Sequence, residues 1–304
     1  MAVEVPYKPK GTPKIEFVEY NGAKFRTIFW SVPEGVENKG RIVYVHGFAE
    51  HGELYTQFFD DVTQLGYEVF FFDQRGAGET SPGDLVGKTD EFHTFDDLDF
   101  FIKQNVQQLK EQESESHKKV YLVGHSMGGA IVLNYGIRGK YIDDIRGIVS
   151  SGPLIKLHPK SQPNIILRGL QPVINKLVPN MKFDSSLNFD YITSNEAWKN
   201  YIVNHDKKLI GTIRQFHDMF VRGDQLLIPD LVKKFNPKVP VLVIHGDKDY
   251  INDIEGSAKF IKLLPEVVDK KFVRNEGGRH SNYLESEKIY KVALDSTIEF
   301  FNSY

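Results

Sequence analysis

Five short, nearly continuous apolar runs recur along the chain, separated by longer segments with a different rhythm. Runs without polar alternation are typical of strands buried on both faces, as in a parallel sheet. The five runs are Arg41–Val45, Tyr67–Phe72, Val120–Val123, Ile145–Ser150 and Val239–Ile244. Between them, apolar residues such as Leu98, Phe101, Ile102 and Val106 recur at helical spacing. Alternating strands and helices predict an α/β fold, with a mostly parallel central sheet and helices on both of its faces.

The N-terminal part of the chain carries a strong hairpin signal. Ile15–Tyr20 and Phe25–Trp30 alternate between apolar and polar residues, and Asn21-Gly22 separates them. An Asn-Gly pair suits a two-residue turn whose central residues both have positive φ. We therefore expect an antiparallel hairpin to open the fold. At the other end of the chain, Leu284–Phe301 is expected to form a closing helix.

One long segment breaks the alternation of strands and helices. From Pro153 to about Leu231 there is no strong strand signal, and several prolines would interrupt any long helix. An insertion between two core strands predicts a cap of short helices, residues 153–231, on an α/β core of residues 1–152 and 232–304. We expect the cap over the carboxyl edge of the sheet, where open α/β sheets bind their ligands.

The predicted cap contains an apolar stripe formed by Ile166, Leu170, Ile174 and Leu177. One interpretation is that the stripe packs against the core. The other is that it forms an exposed lip that docks on membranes or lipid droplets. The sequence favours neither interpretation over the other.

Composition excludes several classes of protein. The 38 basic and 41 acidic residues give a formal charge of −3, which argues against a nucleic-acid-binding protein. The absence of cysteine excludes disulfides, thiolate metal sites and a cysteine nucleophile. We find no signal-peptide segment, no apolar run of about 20 residues and no Asn-x-Ser/Thr site. The expected location is cytoplasmic, with peripheral contact to lipid droplets or intracellular membranes left open.

A candidate nucleophile lies between a predicted strand and a predicted helix. Gly124-His125-Ser126-Met127-Gly128 matches the pattern Gly-x-Ser-x-Gly, in which the serine sits on a sharp turn that exposes its hydroxyl above the sheet. So loose a pattern also arises by chance, but its position after a strand favours the functional interpretation. A phosphate-binding loop would require a following Lys-Ser/Thr, which is missing.

In the α/β-hydrolase fold, to which a Gly-x-Ser-x-Gly turn after a strand points, the catalytic residues occur along the chain in the order nucleophile, acid, histidine. This order restricts the choice of histidine and acid. Only His280 lies beyond any acid that follows the last predicted core strand. Asp247 and Asp249 are both candidates for the acid, which would orient the imidazole and stabilise its charged form. Physical reasoning does not choose between them. A third carboxylate, Asp253, lies near a helix start and is compatible with a helix cap.

An ester hydrolase also needs two backbone N–H groups that bind the oxyanion. One is expected from Met127, which follows the nucleophile, and the other from a loop after an early strand. His46-Gly47-Phe48 follows such a strand, and we choose the N–H of Phe48.

Taken together, these motifs resemble the monoglyceride lipases, most closely their fungal branch, over nearly the whole chain. The matching segments are the oxyanion loop His46–His51, the Asp-x-Arg-Gly-x-Gly element in Phe72–Gly78, the nucleophile turn Gly124–Gly129, Ser151–Leu154 and Gly277–His280. The chain departs from mammalian members at Leu54, where they carry an arginine, and it lacks their cap cysteines.

The resemblance implies roles that physical reasoning alone left open. It selects Asp249 as the acid, in a Gly-x-x-Asp pattern, and suggests that Glu50 binds the glycerol head group. It implies hydrolysis of monoacylglycerol to glycerol and fatty acid through an acyl-enzyme, without cofactor or metal. The alternatives are a broader carboxylesterase, a lysophospholipase, an acyltransferase or a non-catalytic binding protein of the same fold.

Overall fold

The computed structural model describes residues 4–111, 118–162, 172–206 and 208–304. Its strands are β1 (Lys14–Tyr20), β2 (Ala23–Trp30), β3 (Gly40–Val45), β4 (Tyr67–Phe72), β5 (Val120–His125), β6 (Ile145–Ser151), β7 (Lys182–Asp184), β8 (Ile210–Thr212), β9 (Val241–Gly246) and β10 (Lys270–Asn275). Eight of them form one sheet in the order β1-β2-β4-β3-β5-β6-β9-β10. From β4 to β10 every neighbouring pair in that sheet is parallel.

The hairpin predicted at the N-terminus is confirmed. β1 and β2 pair antiparallel, and the two turn residues, Asn21 and Gly22, have φ values of 43° and 75°. β2 then pairs antiparallel with β4, so that the hairpin extends the parallel sheet at one edge. The five buried strands are also confirmed, with a difference at β9. That strand begins at Val241 rather than Val239, because Pro240 has no N–H group to donate to a neighbouring strand.

Helices cover both faces of the sheet. They are α1 (Thr56–Gln64), α2 (Glu91–Glu111), α3 (Met127–Arg138), α4 over residues 172–177, α5 (Glu196–His205), α6 (Ile213–Gln225), α7 (Pro229–Val232), α8 (Ile254–Leu263) and α9 (Glu287–Ser303). Alternate residues of β3 join two separate apolar clusters. The cluster around Val43 includes α2, α3 and α8, and the cluster around Tyr44 includes α1 and α9. The predicted α/β fold with helices on both faces is therefore confirmed.

The closing helix starts later than predicted. α9 begins at Glu287, whereas residues Asn282–Leu284 form a short 3-10 turn. Leu284 is apolar and buried, which extended the helical pattern in the sequence beyond the helix itself.

The segment between β6 and β9 contains an element that the sequence did not predict. β7 and β8 pair antiparallel in a two-stranded ribbon, with Lys182 opposite Thr212. Strands of three residues are too short to show a two-residue period, so the expected cap of short helices did not include this ribbon. α7 also crosses the predicted boundary between residues 231 and 232. Ile166 and Leu170, the first half of the apolar stripe, lie outside the described residues.

Within the described part of the chain, no helix combines the length and the apolar character required to cross a bilayer.

Candidate active site

Ser126 occupies a sharp turn between β5 and α3. Its φ and ψ are 52° and −115°, an unfavourable conformation for any residue with a side chain. Glycines make the turn possible. A Cβ atom on Gly124 would lie 2.4 Å from the carbonyl oxygen of Gly128, and one on Gly128 would lie 2.0 Å from that of Val45. The Gly-x-Ser-x-Gly pattern therefore follows from the close approach of β5, α3 and the end of β3.

His280 forms a buried pair with Asp249. The imidazole Nδ1 lies 2.9 Å from Asp249 Oδ2, while Asp249 Oδ1 accepts hydrogen bonds from the N–H groups of Ile251 and Asn252 at 2.8 and 2.9 Å. These backbone donors hold the carboxylate in one orientation. With Nδ1 donating to Asp249, Nε2 of His280 is free to act as a base.

The two other candidate acids have different partners. Asp247 Oδ1 accepts the N–H of Gly277 at 2.8 Å, and Asp253 caps the first turn of α8 by accepting the N–H of Glu255. Neither makes a hydrogen bond to His280. The structure thus brings one of the three carboxylates to the histidine.

A second histidine, for which no sequence motif predicts a role, contacts Asp249. His245 is fully buried, with Nε2 3.1 Å from Asp249 Oδ2 and Nδ1 2.8 Å from Ser257 Oγ. Burial alone would raise the pKa of Asp249, but the charge of His280 and the hydrogen bonds from His245 and His280 outweigh it and hold the pKa below its usual range. Asp249 is therefore ionised at neutral pH.

The same contacts act on His280 in the opposite direction. Burial would lower the pKa of His280, but the charge and hydrogen bond of Asp249 outweigh it, with a smaller contribution from Glu50, and raise the pKa above 6.5. Ser126 and His280 line the same cavity, although no hydrogen bond joins Ser126 to His280. Such contacts often tighten only when substrate binds.

These charges predict the pH dependence of hydrolysis. His280 accepts a proton only when it is neutral, and its pKa is raised, so kcat/KM should fall as the pH drops through a value above 6.5. Measuring kcat/KM against pH on a soluble ester checks this. An apparent pKa at or below 6.5 would contradict the influence assigned to Asp249.

The loop after β3 is held by two hydrogen bonds of the His46 ring. The ring of His46 accepts the N–H of Gln74 at its Nε2, at 2.8 Å, and its Nδ1 lies 2.7 Å from the carbonyl oxygen of Gly47. Burial lowers the pKa of His46 to about 4, so the ring is neutral and Nδ1 donates. The N–H groups of Phe48 and Met127 donate to no other group in the described residues, which leaves both available to a ligand.

Glu50 belongs to the same loop and contacts its start. Its Oε2 accepts the N–H of Gly47 and the hydroxyl of Tyr55, and its Oε1 lies 3.4 Å from His125 Nε2. Burial raises the pKa of Glu50 to about 7 against the opposing effect of these donors and of His280. The contacts of Tyr55 and His125 with Glu50 could not be predicted, because no spacing in the sequence relates these residues to Glu50.

A cavity of about 730 Å³ opens beside Ser126 and His280, a volume typical of small-molecule sites. Most of its wall is apolar and comes both from the core and from the segment between β6 and β9. Apolar residues of the wall include Phe48, Leu54, Leu154, Ile174, Ile213, Phe216, Met219 and Leu284. Glu50 also lines the cavity. Ser126 and His280 line this apolar cavity, and the two free N–H groups belong to Phe48, which also lines it, and to Met127, which directly follows the serine. This set of groups can perform acyl transfer on an apolar ester.

One group of side chains in the described residues is spaced closely enough to hold a metal ion. It consists of His51, His205 and Asp206, and it does not include Ser126, His280 or Asp249. Acyl transfer by the site above requires no metal.

The chain is similar to known proteins along its whole length. A family model described as serine aminopeptidase, S33, matches residues 36–287. The monoglyceride lipase of Saccharomyces cerevisiae is 37% identical, over 98% of this chain and 96% of its own. The crystal structure of a soluble variant of that enzyme, in complex with a substrate analog, superposes with a TM-score of 0.91 over 99% of this chain and 98% of its own. A monoacylglycerol lipase from Paleococcus ferrophilus, 23% identical with a TM-score of 0.72 over 93% of this chain and 99% of its own, has the same fold.

The sheet order, the nucleophile turn and the cavity are those of an α/β-hydrolase with a serine nucleophile. Within that class, the chain belongs to the monoglyceride lipase family. The resemblance inferred from the sequence motifs is thereby confirmed.

Proposed function

We propose that this protein hydrolyses monoacylglycerol to glycerol and a free fatty acid. The observation that carries the proposal is the apolar cavity of about 730 Å³, into which Ser126 and the Asp249-bound His280 both face. A volume of this order suits an ester with one acyl chain and a small head group. The full-length similarity to the yeast monoglyceride lipase supports the same substrate class.

In the proposed mechanism, Ser126 Oγ attacks the ester carbonyl carbon while Nε2 of His280 takes the hydroxyl proton. The N–H groups of Phe48 and Met127 bind the oxyanion, and the N-terminus of α3 adds its favourable dipole. The tetrahedral intermediate collapses to an acyl-enzyme, and His280 gives its proton to the departing glycerol. Water then attacks the acyl carbonyl by the same steps and releases the fatty acid. Asp249 holds the imidazole and stabilises its charged form.

The substrate class is tested by comparing kcat/KM for 1-oleoylglycerol, dioleoylglycerol, trioleoylglycerol and an oleoyl lysophospholipid. We expect the monoacylglycerol to be preferred, because the cavity accommodates one acyl chain. Preference for the lysophospholipid would indicate a lysophospholipase, and preference for an ester without glycerol would indicate a broader carboxylesterase. Transfer of the acyl group to an added alcohol at the expense of water would indicate an acyltransferase.

For Glu50 we propose contact with the glycerol head group. Its Oε2 already accepts two hydrogen bonds, whereas Oε1 has only the 3.4 Å contact with His125 and can accept one from a glycerol hydroxyl. Replacing Glu50 with glutamine should lower kcat/KM for 1-oleoylglycerol by about 10- to 100-fold, because the amide has one acceptor oxygen, which Gly47 and Tyr55 already use, and no second one for the glycerol hydroxyl.

Activity on methyl oleate distinguishes contact with the glycerol head group from support of the loop at Gly47, because methyl oleate has no glycerol hydroxyl. The Glu50→Gln variant should lose much less activity on methyl oleate than on 1-oleoylglycerol. Equal losses on both esters would mean that Glu50 acts on the loop alone.

We further propose that residues 153–231 act as a cap that contacts lipid surfaces, with the protein located in the cytoplasm and bound reversibly to lipid droplets or intracellular membranes. Around α4 and β7, several apolar side chains are exposed: Val173, Leu177, Val178, Met181 and Phe183. Met181 and Phe183 also line the cavity, so this surface borders the site of the substrate.

Replacing Leu177 with glutamate should weaken binding to phosphatidylcholine vesicles by about tenfold or more, because a buried leucine contributes about 1.5–3 kcal/mol. Vesicle co-sedimentation measures this. Val267→Glu is a matched control: Leu177 is 75% exposed and Val267 is 74% exposed, but Val267 follows α8, away from the cap segment in the chain. Equal binding by both variants and the wild type would contradict the docking surface.

A further inference from the structure

Three side chains other than Ser126, His280 and Asp249 converge where the loop after β3 meets the end of α5. His51 Nε2 lies 3.3 Å from Asp206 Oδ2, and His205 Nδ1 lies 2.8 Å from Asp206 Oδ1. The two imidazole rings are 4.5 Å apart, and the ligand atoms of all three residues lie within 4.8 Å of one another. None of the three is used in the hydrolytic mechanism.

The surroundings of His51 resemble those of a metal ligand. Its Nδ1 lies 2.9 Å from Glu53 Oε2, and Glu53 is itself paired with Arg26. A carboxylate bound to one imidazole nitrogen fixes the ring and directs the other nitrogen at the metal, which is the usual arrangement around zinc-bound histidines. Here the nitrogen so directed is Nε2, which faces Asp206 and His205.

We propose that His51, His205 and Asp206 bind a divalent transition-metal ion of the zinc type. Two imidazoles and a carboxylate are donors that zinc accepts, and a water molecule would complete four-coordination. Zinc–ligand distances of about 2.0–2.2 Å separate neighbouring ligands by roughly 3.4 Å, so closure requires only small movements of the side chains. His205 is 43% exposed and can make that movement.

The ion would connect two parts of the molecule that are far apart in sequence. His51 is the last residue of the oxyanion loop, whereas His205 and Asp206 end α5 in the segment between β6 and β9. Asp206 also lines the cavity. A bound ion therefore links the cap segment to the core beside the cavity, and it should restrain the end of α5.

Calorimetric titration of the metal-free, untagged full chain with zinc chloride tests the proposal. We expect one ion per chain in the wild type and an affinity about tenfold weaker or worse in His205→Ala, because one ligand is lost. His93→Ala is the matched control, since His93 is also partly exposed and paired with an aspartate, Asp90 at 2.9 Å, but has no third ligand nearby. It should bind zinc like the wild type.

A second measurement distinguishes this site from adventitious binding elsewhere. Zinc should raise the Tm of the wild type and of His93→Ala, and slow amide hydrogen exchange at the end of α5, but leave His205→Ala unchanged. Without zinc, all three proteins should melt alike, because His205 is on the surface. Absence of zinc binding at micromolar concentration, or equal affinity in the wild type and His205→Ala, would overturn the proposal.

Discussion

Replacing Ser126 with alanine is expected to lower kcat for ester hydrolysis by about 10⁵-fold or more, as loss of a serine nucleophile does in other hydrolases. The variant keeps the cavity and the two free N–H groups, but no atom remains to form the acyl-enzyme. Because the Ser126 side chain makes no hydrogen bond to the described chain and alanine adopts the same φ with equal strain, stability should change little. Release of oleate and the Tm are the two measurements.

Ser186→Ala provides a matched control. Ser186 lines the same cavity and also has a φ of 52°, but it contacts neither His280 nor Asp249. We expect it to retain nearly full activity. If Ser126→Ala retained more than a few per cent of wild-type kcat, or if both variants lost activity equally, Ser126 would not be the nucleophile.

The second large effect is expected from Asp249→Asn, which should lower kcat by about 10⁴-fold, the loss known for the corresponding change in a serine protease. An asparagine amide can donate its N–H to Nδ1 of His280. The proton of the imidazole would then sit on Nε2, and Nε2 could no longer accept the hydroxyl proton of Ser126. The buried His245 would lose its charged partner as well.

Asp247→Asn is the control for that prediction. Asp247 lies two residues away and accepts one backbone hydrogen bond, from Gly277, but makes no contact with His280. Replacing Asp247 with asparagine should lower kcat by less than about tenfold. A comparable loss of kcat in both variants would contradict the assignment of Asp249 as the acid.

Much of the fold could be predicted because its signals are local. The Asn21-Gly22 turn and the continuous apolar strands depend on neighbouring residues and on burial. The ribbon of β7 and β8 could not be predicted in this way, since each strand has three residues and its partner lies more than twenty residues distant. The contact between the segments, rather than the sequence of either, forms the ribbon.

The site residues, too, could be predicted only where a local signal or the order along the chain identified them. The order of elements pointed to Ser126 and His280, but it did not choose between Asp247 and Asp249, which both follow β9. That choice depends on the turn after β9, in which the N–H groups of Ile251 and Asn252 hold the Asp249 carboxylate towards His280. The resemblance to the monoglyceride lipases selected Asp249, a choice that spacing alone could not make.

The contacts of His245 also come from the folded chain. The residue is the last but one of β9, and nothing in its sequence context indicates that its ring turns to Asp249 instead of packing in the core. Similarly, Tyr55 belongs to the short turn before α1, and only the fold brings its hydroxyl to Glu50.

Covalent labelling tests whether Ser126 is the nucleophile of a monoacylglycerol site: the protein is reacted with an alkyl fluorophosphonate, with and without 1-oleoylglycerol, and the adduct is located by peptide mass spectrometry. We predict a single adduct on Ser126 that forms more slowly in the presence of the monoacylglycerol, because both compounds occupy the same cavity. An adduct on another residue would contradict the assignment of Ser126 as the nucleophile, and labelling of Ser126 at a rate that the monoacylglycerol does not change would contradict the substrate class.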